Sequence, residues 1–279
     1  MHATDKKEHT MKAFSFKPLA HALLLASMGG LLSTAALAQD NKEADPREFN
    51  YLQLAGGLAM SSSANIKVGL GNGVLLPGQA QYDQGSLWGI TLGGQFLREE
   101  DEQKKAQRAA AAGSDKPQEP EPMRVELEFW SASTTRNTIQ LAAETVQPMD
   151  KIKPTAVFLN LAVPISESDE LYKPEDPKRK PEPLWRTWLG AGVGFGSVSY
   201  LSASAISGCN CLREASGNGM AFQVKLQAER QVGENTYLFG QIGRVWLPAV
   251  TTTQGVQQTE YGRWGINNVM VGVRWAFRD

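Results

Sequence analysis

The chain has 279 residues, with 28 Lys plus Arg against 29 Asp plus Glu and a formal net charge of −1. With charges balanced and no long basic block, nothing selects a nucleic-acid partner, and none is expected. Twenty-seven glycines, seven tryptophans and 20% charged residues lean towards a β-rich protein in which backbones approach closely.

Lys12 and Lys17 precede the apolar run Leu19–Met28, which leads to Ala36-Leu37-Ala38 and then the polar stretch Gln39–Glu48. A positive segment, an apolar segment and small residues before the cut make residues 1–38 an expected signal peptide, with translation starting at Met1 or Met11. Cleavage after Ala38 is preferred to a retained anchor. Residue 39 is Gln rather than Cys, which argues against a lipoprotein. Removing 1–38 takes four lysines, Asp5 and Glu8, leaving 24 basic and 27 acidic residues and a net charge of −3. It also takes His2, His9 and His21, the three histidines of the sequence.

After a short periplasmic segment over 39–48, no stretch is apolar enough for a membrane-crossing helix. The apolar residues alternate instead. In Tyr51–Met60, Leu52, Leu54, Leu58 and Met60 share one face, and Tyr51, Gln53, Ala55 and Ala59 the other. In Leu87–Phe96, Trp88, Ile90, Leu92 and Phe96 oppose Thr91 and Gln95. Met123–Trp130 sets Val125, Leu127 and Phe129 against Arg124, Glu126 and Glu128. In Thr155–Ile165, Val157, Leu159, Leu161 and Val163 share a face opposite Asn160. Leu184–Val198 sets Trp185, Leu189, Val193 and Phe195 against Arg186, Trp188 and four glycines. In Met220–Val232, Phe222, Val224 and Leu226 oppose Gln223, Lys225, Gln227 and Glu229. Thr236–Leu247 carries apolar residues on both faces and is expected to turn Arg244 inward. Asn268–Phe277 sets Val269, Val271, Val273, Trp275 and Phe277 against Asn268, Gly272 and Arg274.

A period of two means strands with two unlike faces. Eight such strands, an even number of suitable length, predict an all-β fold: an eight-stranded antiparallel transmembrane β-barrel over 49–277. A soluble barrel would turn its large apolar side chains inward. Here the other face carries glycine, alanine, glutamine and charges of both signs, a composition suited to a narrow lumen, so the apolar face is assigned to lipid.

Ser61–Gly85, Ser131–Pro154, Tyr200–Gly219 and Pro248–Trp264 read as long polar surface loops, and Val232–Asn235 as a short periplasmic turn. The charged, proline-rich connections 98–122 and 166–183 read as disordered where periplasmic turns would be short, and tolerated insertions are preferred to a periplasmic docking site.

Several of these segments together are similar to a known group. Trp188-Leu-Gly-Ala-Gly-Val-Gly-Phe195, Arg124-Val-Glu-Leu-Glu-Phe129, Gly233-Glu-Asn-Thr-Tyr-Leu-Phe-Gly240 with Arg244 after it, and Asn268–Phe277 carry the likeness. The mature chain resembles the OmpA-like and opacity-protein family of small outer-membrane β-barrels, over roughly Phe49 to Phe277. The final strand, with Gly272, Val273, Trp275 and the terminal aromatic Phe277, also looks like an outer-membrane assembly signal, although Arg278 and Asp279 follow it. The resemblance implies export to the bacterial outer membrane, with outer-membrane lipid as surroundings and the barrel-assembly machinery and periplasmic chaperones as partners in biogenesis.

One fold hosts many functions. Related barrels include enzymes that use histidine as acid or base, and the mature chain has none, so no Ser–His or Asp–His pair and no histidine metal site is expected. Glu126 and Glu128 share a face, but with Arg124 beside them and Arg186, Lys225, Glu229, Arg244 and Arg274 also assigned inward, a lumenal charge network is the preferred reading. Cys209-Asn-Cys211 is open to three readings: a small local disulfide ring, which is preferred, a link to another chain, or a soft-metal site. Gly69-Leu-Gly-Asn-Gly73 has no helix after it, so a phosphate cradle is not expected. No cofactor is called for. The sequence therefore points to a non-enzymatic, structural or surface-interacting barrel whose loops meet an unspecified ligand. Alternatives are a narrow pore for ions or small solutes and, last, a lipid-acting enzyme.

Overall fold

The structure is a computed structural model that describes residues 48–69, 74–97, 122–141, 144–148, 150–175, 181–200, 204–206, 209–212, 215–254 and 257–277. The expected signal peptide, the rest of the chain before Glu48, most of the 98–122 connection and residues 70–73 of the Gly69–Gly73 run lie outside the described residues.

Eight strands form a ring: β1 (Phe49–Ser61), β2 (Gly85–Leu97), β3 (Pro122–Leu141), β4 (Asp150–Glu167), β5 (Trp185–Tyr200), β6 (Ala215–Gln231), β7 (Thr236–Leu247) and β8 (Trp264–Phe277). Each pairs antiparallel with its chain neighbours. β1 then pairs with β8 from Asn50↔Phe277 to Ser61↔Ile266, which closes the ring. Closure leaves no ladder of unpaired N–H and C=O groups around the barrel. The eight strands expected from the alternation are present; β7 has the expected bounds and the other seven are longer than their apolar patterns indicated.

Burial follows the alternation. On β4, Ala156, Phe158, Asn160 and Ala162 are buried while Leu159, Leu161, Val163 and Ile165 are exposed. On β6, Gln223, Lys225, Gln227 and Glu229 are buried and Phe222, Val224 and Leu226 exposed. The greasy face thus points away from the barrel, as expected, and the polar face fills it.

The loop-side strands run on past the ring. Leu75–Tyr82 pairs with the far half of β3 (Gly78↔Leu141, Gln81↔Thr138) and with Ala64–Gly69. Ala64–Gly69 pairs in turn with Gln257–Tyr261, and that strand with Val250–Gln254. Ser204–Ile206 and Cys209–Leu212 form a separate small hairpin. The reading of these segments as loops is therefore corrected. Their polar residues (Asn65, Lys67, Gln140, Lys151) face outward while Ile66, Val68, Ile139, Leu141 and Ile152 pack into a core beyond the lumen.

The 166–183 connection is also not a plain disordered insertion where it is described. Leu171–Tyr172 pairs with Glu182–Pro183, Leu184 N–H donates to Glu170 C=O at 2.8 Å, and the buried Glu182 accepts from Tyr237 Oη at 3.0 Å. Its residues 176–180 lie outside the described residues.

Candidate functional site: a neutral polar plug and an outward rim

The alternation that puts Arg124, Glu126 and Glu128 on one face of β3 aims all three across the lumen at β6 and β8. Arg124 donates to both carboxylate oxygens of Glu229, at 2.8 Å from Nη1 and 2.6 Å from Nη2. Its Nε and Nη2 also reach Gln95 Oε1, at 3.2 and 3.1 Å. The guanidinium lies 3.6 Å from the Trp188 ring centroid, and the Trp188 indole N–H donates to Glu229 at 2.9 Å. Arg274 adds a second cation to Glu229, at 3.0 Å, with its guanidinium 4.0 Å from the Tyr237 ring centroid. Phe49, Tyr51, Tyr237 and Ala276 pack as an aromatic floor beneath it.

Lys225 bridges the other two carboxylates, 2.5 Å from Glu126 and 2.8 Å from Glu128. Tyr51 Oη donates to Glu126 at 2.7 Å, and Asn160 and Gln223 donate to Glu128 at 2.9 and 2.8 Å. Three cations and three carboxylates therefore meet inside the barrel, and all six side chains are buried. Unpaired charge in such a place would be prohibitive; pairing and the flanking amides make it tolerable.

Glycine makes room for these chains. Gly190 lies against the Lys225 stem, where a Cβ would stand 3.0 Å from Cγ. A Cβ at Gly192 would collide with the Asn160 amide. Small residues on β5 thus leave room for bulky partners on β4 and β6, as suits a narrow lumen.

Two members of the expected network are elsewhere. Arg186 sits at the rim, where a bulge between Thr187 and Trp188 brings it to Glu167 of β4 at 2.6 Å. Arg244 is a correction: it is exposed on the outside of the barrel, 3.4 Å from Asn267 Oδ1. Its cross-strand partners are outward-facing Val224 and Asn267, so its sidedness follows from the register. The inward apolar residues of β7 (Tyr237, Phe239, Val245 and Leu247) cap the lumen at its two ends.

Neutral partners were not singled out as site residues from sequence: Tyr51, Gln53, Gln95, Asn160, Trp188, Gln223 and Gln227. Asn160, Trp188, Gln223 and Gln227 share strand parity with a charged residue, which is the signal that identifies them, whereas β1 and β2 carry no charge and Tyr51, Gln53 and Gln95 are placed only by the register of the ring. A second buried pair, Arg136 and Asp150, was missed because both lay in a segment read as loop. Arg136 donates to both Asp150 oxygens and, at 3.1 Å, to Tyr261 Oη. Tyr200 and Tyr261 stack beside it at 4.1 Å between centroids. In the strands outside the barrel ring, burial pushes the Tyr82 phenol up to about 12 and raises Tyr261, with Arg136 opposing both.

Among the described residues no group of three or more His, Cys, Asp or Glu side chains converges as a metal site. The side chains of Cys209 and Cys211 lie outside the described residues, so none of the three readings of that pair is decided. Gly272 of the expected assembly signal lies tight against β1 and Phe239, with Val273 half-buried and Trp275 and Phe277 exposed.

On the outer face, 24 large apolar side chains on seven of the eight ring strands are exposed, Val271 at 69%. Contiguous exposed apolar surface of this extent is not left to water by soluble monomers and marks a face built for an apolar surround. These side chains need a lipid or detergent surround. No helix among the described residues is long and apolar enough to cross a membrane; here strands do the crossing.

No family model and no curated protein matches the chain. Among solved structures, Neisserial surface protein A is similar at 12% identity and a TM-score of 0.42, covering 82% of this chain and 97% of that one. The outer-membrane protein AlkL, solved in lipid bilayers, is similar at 13% identity and 0.41, covering 85% and 94%. The outer-membrane protease OmpT of Escherichia coli is similar at 9% identity and 0.39, covering 85% and 99%. Likenesses of this order say nothing about activity. The strand pairings, the filled lumen and the apolar exterior establish the architecture, and by it the chain is a small eight-stranded β-barrel of the bacterial outer-membrane type.

Proposed function

We propose that the protein is a non-enzymatic structural or surface-interacting barrel of the outer membrane, with a lumen plugged by its own side chains. The supporting observation is the Arg124–Glu229–Arg274 and Lys225–Glu126–Glu128 set, which spans the interior with charges matched three against three. A plug of this kind stiffens the wall and leaves the passage occupied. Recognition then belongs to the loop end, where the ring strands extend into paired hairpins around the Tyr200–Tyr261 core. The short turn Val232–Asn235, the start of β1 and the end of β8 lie together at the opposite, periplasmic end. The barrel-assembly machinery and periplasmic chaperones remain the partners proposed for biogenesis.

The test is conductance of the purified protein in planar bilayers. A silent membrane is expected at protein levels where a known porin conducts, and steady single-channel steps would replace the plug with the narrow-pore alternative. Lipid or peptide turnover lost in Glu126→Gln or Glu128→Gln would overturn the non-enzymatic reading.

A further inference from the structure

The outer face of the barrel carries a small cationic patch that the plug does not use. Arg244 of β7 stands two residues loopward of the lipid-facing Ile242 and lies across the backbone of β8. A Cβ at Gly265 would sit 2.8 Å from Arg244 Nη2 and 3.3 Å from Cζ, so glycine there is what lets the guanidinium lie flat. Trp246 is its ring neighbour, 5.5 Å from Cζ to the centroid, and pairs across the ladder with Phe222 of β6. Arg263, in the turn before β8, places its Cζ 5.5 Å from the Phe222 ring centroid. Both arginines are exposed, and among the described residues neither forms an ion pair with a carboxylate. The nearby Glu260 pairs with Lys67 at 3.3 Å instead.

Immediately below, the same three strands present Val224, Leu226, Leu238, Ile242, Val269 and Val271 to lipid. Two guanidinium groups with no carboxylate partner among the described residues thus stand on an aromatic shelf towards the loop end of the apolar face, the position expected of a headgroup boundary in the membrane reading. Guanidinium planes suit phosphate oxygens, which they bind through paired N–H donors. Basic side chains at the polar edge of a membrane protein hold anionic headgroups.

We infer that Arg244 and Arg263, with Asn267, bind the phosphate of a phosphorylated lipid of the outer leaflet, whose acyl chains lie on the β6–β7–β8 face. The occupant is a lipid-borne phosphate rather than a free anion, because the apolar surface continues directly beneath the cations. This inference rests on the membrane reading of the barrel.

The test uses the full processed protein extracted from membranes in a zwitterionic detergent and titrated with diphosphorylated lipid A under native mass spectrometry. Wild type is expected to retain lipid A, and the double variant Arg244→Gln, Arg263→Gln to bind it about tenfold more weakly. Enzymatically dephosphorylated lipid A is expected to bind wild type no better than the double variant binds lipid A. The pair Lys151→Gln, Lys153→Gln, on the outer face of β4, is expected to leave binding unchanged. Equal binding by the double variant, equal binding of the dephosphorylated lipid, or displacement by inorganic phosphate would overturn the inference. A boil-sensitive compact gel band verifies folding of each variant. A processed protein that is freely soluble without detergent would instead sink the membrane reading itself.

Discussion

Arg124 and Glu229 meet through two parallel hydrogen bonds of 2.6 and 2.8 Å, across the lumen from one strand to another. The same carboxylate receives Arg274, so one acid holds two buried cations. Glu229→Gln is expected to destabilise the barrel by about 3–5 kcal/mol, because both guanidinium groups lose their counter-charge. Combining it with Arg124→Met is expected to cost less than the sum of the two single changes, with a coupling of about 1 kcal/mol or more. Urea unfolding of the bilayer-reconstituted protein, followed by tryptophan fluorescence, measures both; a single-variant loss within about 0.5 kcal/mol would show that the pair is not structural.

Sidedness can be read with spin labels. Labels at Leu127, Val157 and Val271 are expected to respond to lipid-soluble relaxation agents, and labels at Glu126 and Gly192 to stay shielded. The reverse pattern would invert the barrel and remove the basis for the plug.

Gly194 and Gly240 make opposite demands. A Cβ at Gly194 would run into the Val157 carbonyl and the Phe158 backbone of β4, whereas one at Gly240 would meet nothing within 4 Å. Gly194→Ala is expected to cost about 1–3 kcal/mol and weaken the compact gel band. Gly240→Ala is expected to change stability by less than about 0.5 kcal/mol. Equal effects would contradict the register between β4 and β5.

Alkali tests the loop-end core. Burial holds the Tyr82 phenol up at about 12, against an ordinary value of about 10. The folded state thus favours the protonated phenol. That contribution to stability is complete below pH about 10 and is lost as pH rises through about 12. Ultraviolet titration of phenolate is expected to show a late-ionising component in the folded protein that is absent in urea and smaller in Tyr82→Phe. Ionisation of every tyrosine near pH 10 without unfolding would place Tyr82 in solvent.

Strand positions and sidedness were legible because lipid outside and a crowded interior impose opposite chemistry on alternate residues. Val157, Leu159 and Leu161 opposite Asn160 admit one orientation. β7 was different: Tyr237 and Phe239 floor the lumen and Val245 and Leu247 roof it, so both its faces are apolar and hydrophobicity could not orient Arg244. Pairing with Val224 decides it, and pairing is a property of two strands. The extended hairpins were hidden for another reason. Lys67, Gln140 and Lys151 make those segments read as solvated, while the core that orders them is assembled from parts of the chain far apart in sequence.

The seam between the first and last strands has a further consequence. Because Asn50 is laddered to Phe277 and Ser61 to Ile266, the wall has no complete circumference until the ribosome has delivered the final strand. Any shorter polypeptide keeps two raw edges that acyl chains cannot hydrogen-bond. A chain truncated before Trp264 is therefore expected to find no closed form that lipid tolerates.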